Sequence, residues 1–104
     1  MTTTDPLLAT LADAAQRKRR ADRDIRLLLA YAREQVQPRP YRLADLAEAA
    51  GKSISGIRTA YSKADIEQAA HLTGGSRGRH LLAVITSLLV SRQDAPARER
   101  HPAA

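Results

Sequence analysis

The chain has 104 residues with no Cys, Phe or Trp and only three Tyr, so a single domain must build its core from Leu, Ile, Val and Ala. The missing cysteines exclude disulfides, thiolate zinc sites and cysteine nucleophiles together, and fit a reducing cytosol. The net charge of +6 is uneven: residues 1–36 carry seven basic and five acidic side chains, residues 37–73 five and four, and residues 74–104 five and two.

Thr4 as N-cap, Asp5 in the first turn and Pro6 near the first helical position mark the start of a long helix, and Pro38 with Pro40 mark its stop. Between them Leu7, Leu11, Ala14, Lys18, Ala21, Ile25, Leu28 and Ala32 recur at spacings of four and three, a heptad-like seam that weakens at Lys18 and its neighbouring alanines. The stronger half is Ile25, Leu28, Leu29, Ala32 and Val36, enough apolar surface to form the first helix of a trihelical core. The half before Arg17 has three options: to fray, to pack on a second subunit, or to fold back. The run Arg17, Lys18, Arg19, Arg20, Arg23 and Arg26 invites reading as a phosphate-contacting stripe, but Asp22 and Asp24 interleave and a solvated helix face is the stronger reading.

The stretch Leu43 to Tyr61, LADLAEAAGKSISGIRTAY, reads as two short helices joined by a tight turn. Leu43, Leu46, Ala47 and Ala50 form one apolar stripe, Gly51 breaks it, and Ile54, Ile57, Ala60 and Tyr61 resume it on a new axis. Gly51 can take the positive φ of a sharp turn, and Ser53 is placed to cap the second helix. Ile57, Ala60 and Tyr61 are expected to point inward. The bland alternative is a helical hairpin in a small bundle, since alanine-rich chains produce such runs by chance.

On these residues the chain resembles the DNA-binding headpiece of lac-repressor-type regulators, whose motif runs LADVAEAAGVS. The Gly51, Ser53, Ile57 spacing is similar to tetracycline-repressor-type and sigma-factor-type motifs as well. Lys52 departs from the pattern, standing where these families place an apolar residue between the two helices; its stem can still pack while the ammonium reaches solvent or a phosphate. The resemblance implies a helix-turn-helix that places the helix from Ile54 to Tyr61 in the major groove. It implies base reading by Ser53, Ile54, Ser55, Arg58 and Thr59. Arg58 has the chemistry for a bidentate pair to guanine, Ser55 and Thr59 for single bonds, and Ile54 for a thymine methyl. Lys52, Lys63, Arg39 and Arg42 are the expected phosphate contacts.

After Tyr61, Ser62 and Asp65 form a capping box and Gly74 suits a helix C-terminus, so a break near Ser62 is expected rather than one unbroken helix. TGGSRGR, residues 73–79, reads as flexible. In HLLAVITSLLVSR the residues Leu81, Leu82, Val84, Ile85, Leu88 and Leu89 fit a helix with a broad apolar face. Leu81, Ile85, Leu88 and Leu89 are its expected dimer interface. The competing reading is a strand, which would make residues 73–79 the tip of a wing with Arg77 and Arg79 poised for the minor groove. Residues 94–104, DAPARERHPAA, read as a disordered tail, which leaves 1–93 as one all-α domain.

His71, His80 and His101 form no HxxxH pair, no carboxylates cluster at ligand spacing, and GGSRG lacks the Lys-Ser/Thr of a phosphate-binding loop. No enzyme activity, metal, cofactor or small-molecule ligand is indicated. No signal peptide is evident, and the apolar run Leu81 to Ile85 is too short to span a bilayer. The expectation is a cytoplasmic, nucleoid-associated bacterial protein that binds double-stranded DNA sequence-specifically as a homodimer and regulates transcription. Two alternatives stand beside it: a nonspecific DNA-compacting or plasmid-maintenance protein, and a protein-interaction adaptor that leaves DNA alone.

Overall fold

In the computed structural model, which describes residues 5–89, the described chain is all-α: α1 Pro6–Glu34, α2 Leu43–Ala50, α3 Ile54–Arg58, α4 Lys63–Thr73 and α5 Leu81–Leu88. Thr4, Val90 and the tail 94–104 lie outside the described residues. No described helix is long and apolar enough to cross a membrane.

Asp5 is the N-cap of α1, where a first-turn role was expected: its Oδ1 accepts from the amides of Leu7 at 2.8 Å and Leu8 at 3.2 Å. A carboxylate there satisfies two of the free N–H groups of the first turn, and Pro6 has no N–H to satisfy. The helix then runs unbroken through the seam. Its two halves differ: no residue before Asp24 is buried, whereas Leu27, Leu29, Ala30, Tyr31 and Ala32 all are.

The C-terminal half of α1 is packed on two sides. On one, Leu27, Ala30 and Tyr31 meet Ala69 of α4 and Val84 and Leu88 of α5, with Leu28, Val36, Ile66 and Leu72 around them. On the other, Leu29 meets Ala47 of α2 and Ile57 of α3, with Ile25, Leu43, Leu46, Ala50 and Ala60 at the edges. Tyr61 packs against both clusters. The apolar stripe expected of one trihelical core is therefore shared, Ile25 and Leu29 serving the side of α2 and α3 while Leu28 and Val36 serve the other. Full burial of Leu27, Ile57 or Leu88 contributes ~1.5–3 kcal/mol each.

The segment from Leu81 is a helix, which removes the wing strand. Of its expected subunit face, Leu88 is 0% exposed inside the chain's own core. Ile85 and Leu89 are half-buried, and Leu81 is exposed. A helix this apolar needs cover, and the side of α1 opposite the motif supplies it.

Residues 73–79, expected to be flexible, make contacts with the C-terminal end of α1 and the residues just after it. The Gln37 amide donates to the Arg77 carbonyl at 3.2 Å, and the Tyr31 and Ser76 hydroxyl oxygens lie 3.2 Å apart. Gly78 has φ +108, and a Cβ there would sit 3.5 Å from Val36, so the loop presses against the end of α1.

Candidate nucleic-acid interface

The turn between α2 and α3 forms from local chemistry. Gly51 has φ 69 and ψ 35, the left-handed conformation that costs residues with a Cβ ~1–2 kcal/mol, and its amide reaches the carbonyls of Ala47 and Glu48. The Lys52 amide adds a bond to the Ala47 carbonyl at 2.9 Å. Ser53 then caps α3 by accepting from the Gly56 amide at 2.9 Å. Ile57, 0% exposed, anchors the helix against Leu29 and Ala47.

The second helix is shorter than the expected Ile54 to Tyr61. It ends at Arg58, with Thr59 as C-cap, and its five residues span roughly 7.5 Å. The Thr59 hydroxyl turns back to the carbonyls of Ser55 and Gly56, both at 3.4 Å, and competes with the helical ladder there. A new helix starts almost at once. Ser62 and Asp65 form a complete capping box: the Ser62 Oγ accepts from the Asp65 amide at 3.2 Å and the Asp65 carboxylate accepts from the Ser62 amide at 2.9 Å. Burial pushes the Asp65 carboxyl up, but the hydrogen bonds from Ser62 and the charge and hydrogen bond of Arg26 outweigh it and hold its pKa below the usual value. The same Arg26, 3.5 Å from Asp65, ties α4 to α1.

Tyr61 fixes the far end of the motif. Its hydroxyl donates to the Glu34 carboxylate at 2.8 Å, and its pKa is pushed up to about 12, first by burial and then by that carboxylate. Beside it Arg33 donates to the Tyr41 carbonyl at 2.7 Å and the Tyr41 amide donates to the Ala32 carbonyl at 3.1 Å, folding the α1–α2 loop against α1. Neither Arg33 nor Glu34 stands out in the sequence, since no motif or periodicity marks a residue that braces a neighbouring loop.

All five candidate base readers, Ser53, Ile54, Ser55, Arg58 and Thr59, are exposed, and Ile57 alone of α3 is buried. Arg58 edges a shallow cleft with Arg33, Glu34, Leu43 and Tyr61, while Lys52 edges a second cleft with Asp22, Ile25, Arg26 and Ala60. The two clefts meet α1 about ten residues apart, roughly 15 Å along its axis. Arg39 and Arg42 are exposed in the loop before α2, where Arg42 forms the N-cap with its backbone and makes no side-chain cap, and Lys63 is exposed at the start of α4.

Two sets of cations behave differently. In the α1 run, Arg17 pairs with Asp13 at 3.0 Å, Lys18 with Asp22 at 3.2 Å, and Arg19 donates to Gln16 at 2.7 Å. Around the motif, the side chains of Arg39, Arg42, Lys52, Arg58 and Lys63 make no hydrogen bond or ion pair among the described residues. Also among the described residues, no group of three or more His, Cys, Asp or Glu is placed to hold a metal ion.

Comparison with known proteins returns no match: no family model fits the chain, and no curated protein or solved structure matches it.

Proposed function

We propose that this chain is a small sequence-specific, double-stranded-DNA-binding protein, a transcriptional regulator that acts as a homodimer through α2 and α3. The observation that carries the reading is a pairing contrast: among the described residues Arg39, Arg42, Lys52, Arg58 and Lys63 around the motif make no side-chain pair, while Arg17, Lys18 and Arg19 of the neighbouring helix do. Side chains held by no internal carboxylate are the ones that exchange counterions for phosphates at least cost. In this reading α3 lies in the major groove, Arg58 pairs with a guanine, and Ser55, Thr59 and Ile54 add smaller contacts. Lys52, Lys63, Arg39 and Arg42 grip the backbone and set register. A five-residue α3 reads few bases, so a two-fold site joins two weak half-sites into a usable one.

The test is a binding selection from genomic fragments with the purified protein, followed by a salt titration on the selected duplex. Four phosphate contacts per subunit give a slope of log affinity against log salt of ~−4 for one subunit and ~−7 for two. Steep dependence with equal affinity for every sequence points to DNA compaction. No duplex binding at low salt points to a protein-docking role.

A further inference from the structure

Ahead of Asp22, which lines the cleft beside Lys52 and Ala60, α1 extends for sixteen residues, about 24 Å of helix that contributes to neither core cluster. This arm carries Leu7, Leu8 and Leu11, which are 73%, 57% and 62% exposed, and the half-buried Ala14 and Ala15 continue the same stripe. A helix of that length is marginal in water without tertiary cover, and a leucine stripe on it loses the hydrophobic gain that would hold it. The rest of the chain offers little to lay over it. Beyond the described helices, residues 90–104, VSRQDAPARERHPAA, contain one large aliphatic side chain, Val90, and no Leu, Ile or Met.

We infer that the arm pairs antiparallel with the arm of a second copy of this chain, an inference that rests on the homodimeric reading above and names its surface. The stripe is self-complementary in that direction. Setting Leu11 beside the partner's Ala14 and Leu7 beside the aliphatic stem of the partner's Lys18 alternates large with small across the seam, and Leu8 then faces the partner's Ala15. Charge selects the direction. A parallel pair would stack Arg17, Lys18, Arg19 and Arg20 on the same run of the partner. The antiparallel pair moves the two basic runs ~18 Å apart, about two Debye lengths at physiological salt, and brings each beside the partner's Asp5 end. The surface also replaces α5, whose Leu88 is occupied within its own chain.

Sedimentation equilibrium of the full chain at micromolar concentration is expected to show a dimer. The double variant Leu7→Glu with Leu11→Glu, whose sites lie outside both core clusters, is expected to keep its helical circular dichroism and to dimerise at least ~10-fold more weakly. A dimer unaffected by the double variant overturns the arm and leaves the dimeric function standing. A monomeric unmodified chain overturns both, while DNA binding by one subunit is still decided by the salt titration. Because the chain has no cysteine, direction can be read separately. Ala14→Cys, held within about one helical turn of its partner copy, is expected to form an interchain disulfide, and Lys18→Cys, ~16 Å from its own copy, is not. Equal cross-linking of both overturns the antiparallel arrangement.

Discussion

The two sides of α1 do different work. Toward α4 and α5 the helix contributes Leu27, Ala30 and Tyr31 to a cluster that closes over Val84 and Leu88; toward the motif it contributes Leu29 alone to a buried set completed by Ala47 and Ile57. One side is a scaffold with two fully buried large aliphatics, Leu27 and Leu88, and the other hangs a pair of short helices from one, Ile57. The difference teaches how a small chain keeps the polar face of a pair of short helices outward. The scaffold supplies most of the burial, so α2 and α3 can leave Ile54, Ser55, Arg58 and Thr59 in solvent and still be held in place.

That comparison is most strongly tested by cavities on each side. Leu88→Ala and Ile57→Ala are each expected to cost ~2–5 kcal/mol in denaturant titrations. Their consequences should diverge: Leu88→Ala lowers global stability while native molecules keep DNA affinity, whereas Ile57→Ala weakens DNA binding even under conditions where the scaffold is folded. Equal loss of DNA binding per folded molecule in both would mean the two sides form one cooperative unit. Next in size, Arg58→Ala is expected to reduce affinity for the selected site by ~1–3 kcal/mol with nonspecific affinity and melting temperature nearly unchanged. A fall on all sequences alike would demote Arg58 to a phosphate contact.

Gly51→Val places a β-branched residue at φ 69 and is expected to cost at least ~1–2 kcal/mol. The loss should be local, with hydrogen exchange rising in α2 and α3 before it rises in α4; uniform acceleration would break the division. The smallest effect is at the junction between the two sides. Ser62→Ala removes the cap of α4 and is expected to cost ~1 kcal/mol. The Asp65 carboxyl is held below its unfolded value, so its contribution is complete above about pH 4 and is lost as pH falls through the folded pKa, because the unfolded chain then binds the proton more readily. Stability measured from pH 6 down should therefore fall at the acid end, and Asp65→Asn should flatten that limb. An unchanged limb would place the acid sensitivity at other carboxylates.

Local punctuation was readable from the residues alone. Gly51 and Gly74 do adopt left-handed backbone, Ser53 and Ser62 do cap their helices, and the break before α4 falls where Ser62 and Asp65 predict it. Such features depend on the backbone of a few neighbouring residues, so sequence suffices. The length of α3 escaped because Ala60 and Tyr61 continue its apolar spacing, yet Tyr61 is drawn out of the helix to Glu34, twenty-seven positions away. The contacts of residues 73–79 were not legible for the same reason, since Gln37 and Tyr31 are the partners.

By itself, then, the sequence determined helix type, most helix boundaries and which side chains of the motif are apolar anchors, because propensity, capping and turn geometry act over one or two turns. Only the tertiary structure decided what covers each apolar face. Periodicity says that Leu7, Leu11, Leu29 and Leu88 lie on faces that favour burial, and it is silent on the partner. Packing put Leu29 under the motif and Leu88 under α1, and left Leu7 and Leu11 in solvent, because burial depends on which surfaces meet across the chain rather than on spacing along it.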